Sequence, residues 1–300
     1  MRAEVHADLS RFAALAGPLF AEDPVLHTVA TTLLHDRMIQ AGWDDGEALV
    51  LVTLHEGDHL CGAVLRVPRM PVVVSGLPAD AVDLAVSVLS EVDPGLPGVT
   101  GPDDRAEAFA RRWVDRTGAT VARRMDQRLY RLGELRRPRV AGVARFATQG
   151  DLMLLATWCM GFARDAHGYA LAASSAFDLI TWSLTRGGVL LWELAGQPVA
   201  MAVVRPVHAV RMARVSIVYT PRELRGHGYG SAATAAASQW ALGLGMTHVV
   251  LFTDLANPVS NAIYQRLGYL PVRDFLDVRF GERPDQRRAV EEIDGTGDSG

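Results

Sequence analysis

Three glycines alternate through "RGHGYGS", residues 225–231, between an apolar run, "RVSIVYT", and an alanine-rich one, "SAATAAASQWALGLG". Gly226, Gly228 and Gly230 permit left-handed backbone and leave no Cβ in the way of a close ligand. Successive N–H groups at such a turn form an anion nest, and a helix that starts there adds its positive dipole end. A diphosphate would suit the place. A plain glycine turn would read the same, because short glycine motifs recur by chance. Spacing excludes two phosphate loops. There is no lysine for G-x-x-x-x-G-K-[ST], and the third glycine comes too early for G-x-G-x-x-G. What remains is R-x-x-G-x-G, Arg225 to Gly230.

A second stretch, "NPVSNAIYQRLGY" (257–269), places Asn257 and Tyr264 seven residues apart. Seven residues are about two helical turns, so the two share a helix face. Asn257 before Pro258 also reads as an N-cap with proline at the first helical position, and Gly268 as the residue that ends the helix. Tyr264 also reads as a core aromatic with its hydroxyl at the rim.

In this order, one helix and one strand apart, the two motifs resemble the GNAT superfamily of acetyl-CoA-dependent N-acyltransferases. The resemblance covers 139–280 and is strongest over 215–280. It implies a coenzyme A diphosphate on Arg225, Gly226, His227, Gly228, Tyr229, Gly230 and Ser231, with the pantetheine arm along Val218, Tyr219 and Thr220. It also implies Asn257 at the cofactor and Tyr264 as general acid to the departing thiolate. A splay or bulge in the strand would free backbone groups for the pantetheine amides. A backbone N–H near Tyr219 or Thr220 would meet the developing oxyanion.

The implied reaction moves an acetyl group from acetyl-CoA to the amine of a small molecule or peptide by direct attack. Glu193 in "LLWELAG" is the candidate base, against the simpler reading of an outward-facing strand carboxylate. His208 and His227 are the other titratable groups, with His227 assigned to the loop. His55 and His59 are four apart but fall on a hairpin, where that spacing does not converge, so no metal is expected. The alternative is a non-catalytic acetyl-CoA sensor. Tyr264 argues for the enzyme, since binding alone requires no acid. A third reading is an interaction protein whose glycine loop holds nothing.

The elements that must position these residues read as an α/β (α+β) fold with a mixed, mostly antiparallel central sheet flanked by helices, built as tandem GNAT-like domains. "LVTLHEGDHLCGAVLRVP" (51–68) lies over "LLWELAGQPVAMAVVRP" (190–206) when Gly57 is matched with Gly196, and both read as hairpins. Each half continues with strand, helix, turn and helix. The N-terminal half has "MPVVV", then a helix, a turn-rich "DPGLPGVTG" and a second helix; the C-terminal half ends in two strands, "LPVRDF" and "LDVRF". The first half lacks R-x-x-G-x-G, and matching Gly118 with Gly268 puts Val114 where Tyr264 stands. The expected division is therefore 1–135, a degenerate GNAT-like domain, and 139–282, the catalytic one, with a disordered tail over 283–300.

The totals narrow the function classes. The chain has 300 residues, 49% of them hydrophobic, and a net charge of -4, so no bulk field favours nucleic acid or an anionic membrane. All 30 basic side chains are arginine, which excludes lysine nucleophiles and Schiff bases. Cys61 and Cys159 sit among apolar residues and read as buried, inert thiols. Asp8, Arg11, Glu22 and Asp23 interrupt any leader-like apolar segment, and no apolar run reaches the ~20 residues of a membrane span. A cytoplasmic protein is expected.

Overall fold

A computed structural model of the chain describes residues 1–39, 49–186 and 188–281. The first run of elements is β1 (Arg2–Val5), α1 (Leu9–Glu22), α2 (Thr28–Ile39), β2 (Val50–Glu56), β3 (His59–Arg66), β4 (Val72–Gly76), α3 (Val82–Val92), β5 (Gly98–Pro102), α4 (Asp103–Thr117) and β6 (Thr120–Leu132). The same order then repeats: β7 (Val143–Phe146), α5 (Leu152–His167), α6 (Ala173–Thr185), β8 (Val189–Leu194), β9 (Gln197–Val207), β10 (Met212–Tyr219), α7 (Tyr229–Gly243), β11 (His248–Asp254), α8 (Pro258–Arg266) and β12 (Tyr269–Gly281). Gly57 and Gly196 both adopt positive φ in their hairpins, and Gly118 and Gly268 both do so after α4 and α8.

The chain divides into two compact units. Unit 1 holds Met1–Gln127 and the described residues from Asp274 on; unit 2 holds Arg128–Arg273. The sequence reading instead cuts between 135 and 139, and its tail, 283–300, lies outside the described residues. The closing strands account for the difference. Residues 274–281 of β12 lie in unit 1, where Phe275–Arg279 pair antiparallel with Gly98–Pro102 of β5. The end of β6 lies in unit 2 beside β11. The two closing strands read from the sequence are one 13-residue strand.

Among the pairs whose register is described, pairing is antiparallel except for one parallel pair in each unit, β4 with β5 and β10 with β11. Strand alternation gives each sheet two apolar faces. In unit 1, Leu51, Ala63, Leu65 and Val73 pack with α1 and α2, while Val50, Val52, Leu54, Val72 and Val74 pack with α3 and α4. In unit 2, Val189, Leu191, Met201 and Val203 face α5 and α6, and Leu190, Ala200, Ala202 and Val204 face α7.

The stretch "DPGLPGVTG", read as turn-rich, supplies β5. Its two strand glycines, Gly98 and Gly101, stand where neighbouring chain comes too close for a side chain, while a Cβ on Gly95, before the strand, meets open space. A Cβ on Gly98 would collide with Val278 O, and one on Gly101 would lie 2.6 Å from Val74 Cγ2. Among the described residues, no helix is long and apolar enough to cross a membrane.

Gly118 and Gly268 separate two costs of replacing glycine. Both have positive φ, but a Cβ on Gly118 meets open space while one on Gly268 collides with Glu134 O. Gly118→Ala should therefore cost only the left-handed backbone term, about 1 kcal/mol. Gly268→Ala should cost about 2–4 kcal/mol, read as a lower urea midpoint by circular dichroism.

Candidate functional site

In unit 2 the registered pairs between β10 and β11 run from Met212↔His248 to Val215↔Leu251 and stop, although β10 continues to Tyr219 and β11 to Asp254. Against β9, the register of β10 slips between Val215 and Ile217, so Ser216 is an extra residue. Such a bulge inverts side-chain parity. Ala213 and Val215 face α7, whereas Ile217 and Tyr219 face α5 and α6, and Val218 takes the α7 side. The splay and the bulge occur together, on the strand that carries Val218 and Tyr219. In unit 1 the registered pairs between β4 and β5, Val72↔Val99 and Val73↔Thr100, likewise stop before the strands end at Gly76 and Pro102. The register between β3 and β4 slips between the pairs Ala63↔Gly76 and Leu65↔Val73.

Beyond Tyr219 the chain makes a short 3₁₀ turn, Arg222–Leu224, and enters the glycine loop. Gly226 has φ +86° and Gly228, the residue before α7, has φ +80°. No side chain caps α7, and its first turn contains no acidic residue. The first intrahelical bond runs from Ala232 N–H to Gly228 O (3.0 Å), which leaves the amides of Tyr229, Gly230 and Ser231 ahead of any intrahelical acceptor. A Cβ on Gly230 would lie 3.1 Å from Thr220 Oγ1, so Thr220 sits directly over the start of the helix. The donors and the bare backbone fit an anion.

The loop side chains are tied back to the protein. Arg225 Nε donates to Thr220 O (3.0 Å), and its Nη2 donates to Asp165 Oδ2 (2.6 Å). Arg222 Nη2 donates to Asp165 Oδ1 (2.7 Å), and Arg164 Nε reaches the same oxygen at 3.3 Å. Arg222 first, and then Arg225, hold the Asp165 carboxyl well below the usual carboxylate range, against the opposing effect of its burial. His227 stacks on Tyr229 with ring centroids 5.4 Å apart and donates from Nδ1 to Arg225 O at 3.0 Å. The Tyr219 ring packs against Trp158 and under Gly161, where a Cβ would lie 2.5 Å from its hydroxyl. Only the Tyr219 backbone is left for the cleft.

Asn257 caps α8: its Oδ1 accepts from Ser260 N at 3.0 Å. The residue that fixes this turn is Asn261. Its Nδ2 donates to Asp254 O (2.9 Å) and Asn257 O (2.7 Å), and its Oδ1 accepts from the buried Tyr130 hydroxyl (3.0 Å). Tyr264 lies edge-on to Tyr269, centroids 6.0 Å apart, and packs partly buried on the same apolar cluster as Val218. Burial pushes the Tyr264 phenol up to about 12. The Tyr269 hydroxyl meets Ser238 Oγ at 2.7 Å, and Ser238 Oγ donates to Thr234 O, so Tyr269 is the donor to Ser238.

Two candidates for the base are not brought to this place. Glu193 Oε1 accepts from Arg145 Nε at 2.5 Å, and Arg145 also forks onto both oxygens of Asp151. His208 precedes β10, at the opposite end of that strand from Tyr219.

Asp165, Asn261 and Tyr130 are missing from the sequence reading. Asn261 carried a signal, one helical turn after Asn257 on the same face. Asp165 and Tyr130 meet their partners across 57–60 and 131 residues and carried none.

Comparison with known proteins bears on the fold. The acetyltransferase (GNAT) family model matches residues 152–269. A GNAT-family acetyltransferase from Colwellia psychrerythraea is similar at 11% identity over 94% of this chain and 100% of its own, with a TM-score of 0.59. A GCN5-related N-acetyltransferase from Sphaerobacter thermophilus is similar at 15% identity, covering 93% and 95%, TM-score 0.54. A tandem GNAT protein from the clavulanic acid biosynthesis pathway is similar at 13% identity, covering 94% and 99%, TM-score 0.53. At these identities the shared property is the fold. No curated protein matches the chain. Residues 152–269 therefore match the GNAT family model, and the chain as a whole has the mixed α/β fold of these neighbours, with its order of elements carried twice.

The Asp165 cluster predicts an acid limb in stability. A carboxyl whose folded pKa is depressed stabilises the fold at pH above its ordinary value near ~4. That contribution is lost as pH falls through the lowered folded value. Melting temperatures followed from pH 7 downward should therefore fall more steeply below about pH 4 in the parent than in Asp165→Asn.

Proposed function

We propose that the chain is an N-acetyltransferase that moves an acetyl group from acetyl-CoA to the amine of a small molecule or peptide. One observation carries the reading. The parting of β10 from β11 opens beside a helix start whose amides have no side-chain cap, with Tyr264 on the same apolar cluster.

The amides from Gly226 to Ser231 and the Thr220 hydroxyl would hold the diphosphate. The backbone of Val218, Tyr219 and Thr220, on the edge released from β11, would hold the pantetheine arm. Arg225 contributes by fixing the loop, since Asp165 and Thr220 O occupy its guanidinium. Asn257 contributes by starting α8 where Tyr264 is then presented. When bound, acetyl-CoA supplies a thioester carbonyl open to attack by an amine.

Most of the protein's task is then positioning and exclusion of water. A β10 amide near Tyr219 or Thr220 would donate to the carbonyl oxygen as charge develops. Tyr264 keeps its proton at Oη across the working pH range, because its pKa lies far above neutrality. Glu193 is already ion-paired, so the attacking amine arrives deprotonated through solvent. Unit 1 would not bind the cofactor. Its α3 begins among Asp80 and Asp83 rather than bare glycine amides, and Val114 stands in the place of Tyr264.

A thiol-release assay with acetyl-CoA and a panel of amines tests the reading. Tyr264→Phe should lower kcat about 100-fold while the KM for acetyl-CoA stays within about twofold. Unchanged turnover would remove its role. Acetyl-CoA at about 100 times its Kd should stabilise the parent by ~2.7 kcal/mol. Gly228→Val, which puts a side chain at φ +80° and against Val140, should lose most of that shift while remaining folded by circular dichroism. Stabilisation without release of thiol from any amine would instead favour a sensor of acetyl-CoA.

A further inference from the structure

Unit 2 contains a recess of about 440 Å³ between α7 and the outer strands β7 and β8. This lies within the ~300–1,000 Å³ of ordinary small-molecule sites. Phe146, Leu190, Trp192, Ala236 and Trp240 give it apolar, mainly aromatic walls, and Arg137 stands at its exposed rim. Phe146 meets Trp240 edge-on with centroids 5.7 Å apart, and Trp192 is fixed by donating from Nε1 to Ala141 O at 3.0 Å.

The charges at the rim are unbalanced. Arg145, the other guanidinium of the lining, is neutralised by Asp151 and Glu193. Arg137 meets only a carboxamide, donating from Nη2 to Gln239 Oε1 at 2.6 Å. Among the described residues, neither Arg137 nor its chain neighbours Arg136 and Arg139 has a carboxylate partner. Aromatic walls beneath an uncompensated guanidinium fit a molecule with an apolar body and one anionic end.

We propose that this recess is a binding site for a small amphipathic carboxylate, an aryl- or alkyl-substituted acid, whose body lies between Trp192 and Trp240 and whose carboxylate pairs with Arg137. The guanidinium offers a carboxylate a charge-assisted hydrogen bond at the rim, while the apolar body is taken out of water below it. The neighbouring chain links the recess to the glycine loop. Pro138 lines the recess, and two residues on Val140 lies against Gly228. The site does not depend on the acyl-transfer reading, and binding to it is measured in the absence of turnover.

The test is a tryptophan-emission titration of the full chain with 4-phenylbutyrate, and with uncharged 4-phenylbutanol beside it. The acid should quench saturably, and the alcohol should bind at least about fivefold more weakly. Arg137→Ala should bring the acid down to the affinity of the alcohol. Ala236→Phe, which fills the recess, should abolish saturation. The surface variant Arg137→Ala keeps the test decisive if the filled one fails to fold. No saturation with the acid up to about 10 mM, a concentration that corresponds to only ~3 kcal/mol of binding, would overturn the proposal. Equal binding of acid and alcohol would overturn it too. Displacement of the acid by acetyl-CoA would show that the recess belongs to the cofactor site, and that would also end it.

Discussion

The parting of β10 from β11 after Val215 and Leu251 is the constraint on which unit 2 depends. A sheet gives up inter-strand hydrogen bonds there, and an unpaired buried backbone group costs on the order of 1–3 kcal/mol. The neighbouring elements hold the strands in that state. Tyr219 is turned to the α5 side by the bulge at Ser216 and fitted under Gly161. At the far end of β11, Tyr130 and Asn261 fix the first turn of α8 against Asp254 O. Asp165, at the end of α5, draws Arg222 and Arg225 onto the same helix. The bulge has a second effect. By shifting parity it sends Val218 to the α7 side and buries the Tyr219 ring on the other, so backbone rather than an aromatic ring borders the gap.

The first run of elements repeats this order without the glycine loop or the phenol. Both hairpins turn on a positive-φ glycine, and both second helices end on one. The two runs differ at two places that bear on binding. The first turn of α3 carries Asp83, where that of α7 has no acid. Val114 stands in the place of a phenol. Either change would weaken the anion or thioester binding proposed for unit 2. The closing strands are exchanged between the two runs. β5 has its antiparallel neighbour only because 274–281 returns to unit 1, so the repeats do not separate at a linker.

Local signals made much of this readable in the sequence, and long-range ones hid the rest. The glycine loop, the Asn257–Pro258 start of α8 and the paired hairpins are each written within about a dozen residues. β5 was hidden because its glycines answer to Val278 and Val74, residues far away in sequence, and so read as turn. β12 read as two strands because its surroundings change at 273–274. Leu270–Arg273 are exposed while Phe275 and Leu276 are buried, and no single alternation covers both. Glu193 was a fair candidate by type and strand. Its ion pair with Arg145 depends on the register of Val143 opposite Glu193, which a sequence does not print.

The raised pKa of Tyr264 limits how it acts. An alkyl thiol ionises near ~8.5, so complete transfer from a phenol at about 12 to a thiolate runs uphill by roughly 3–4 pKa units, about 5 kcal/mol. Burial therefore makes Tyr264 a poor source of a free proton and a good hydrogen-bond donor. In the proposed transfer the stabilisation it would offer is a hydrogen bond to sulfur as negative charge builds there, with solvent completing the protonation after the thiol leaves. Its burial would then serve that chemistry. The apolar contacts that raise the pKa would also limit the water competing for the same sulfur, and a hydrogen bond gains strength in such surroundings.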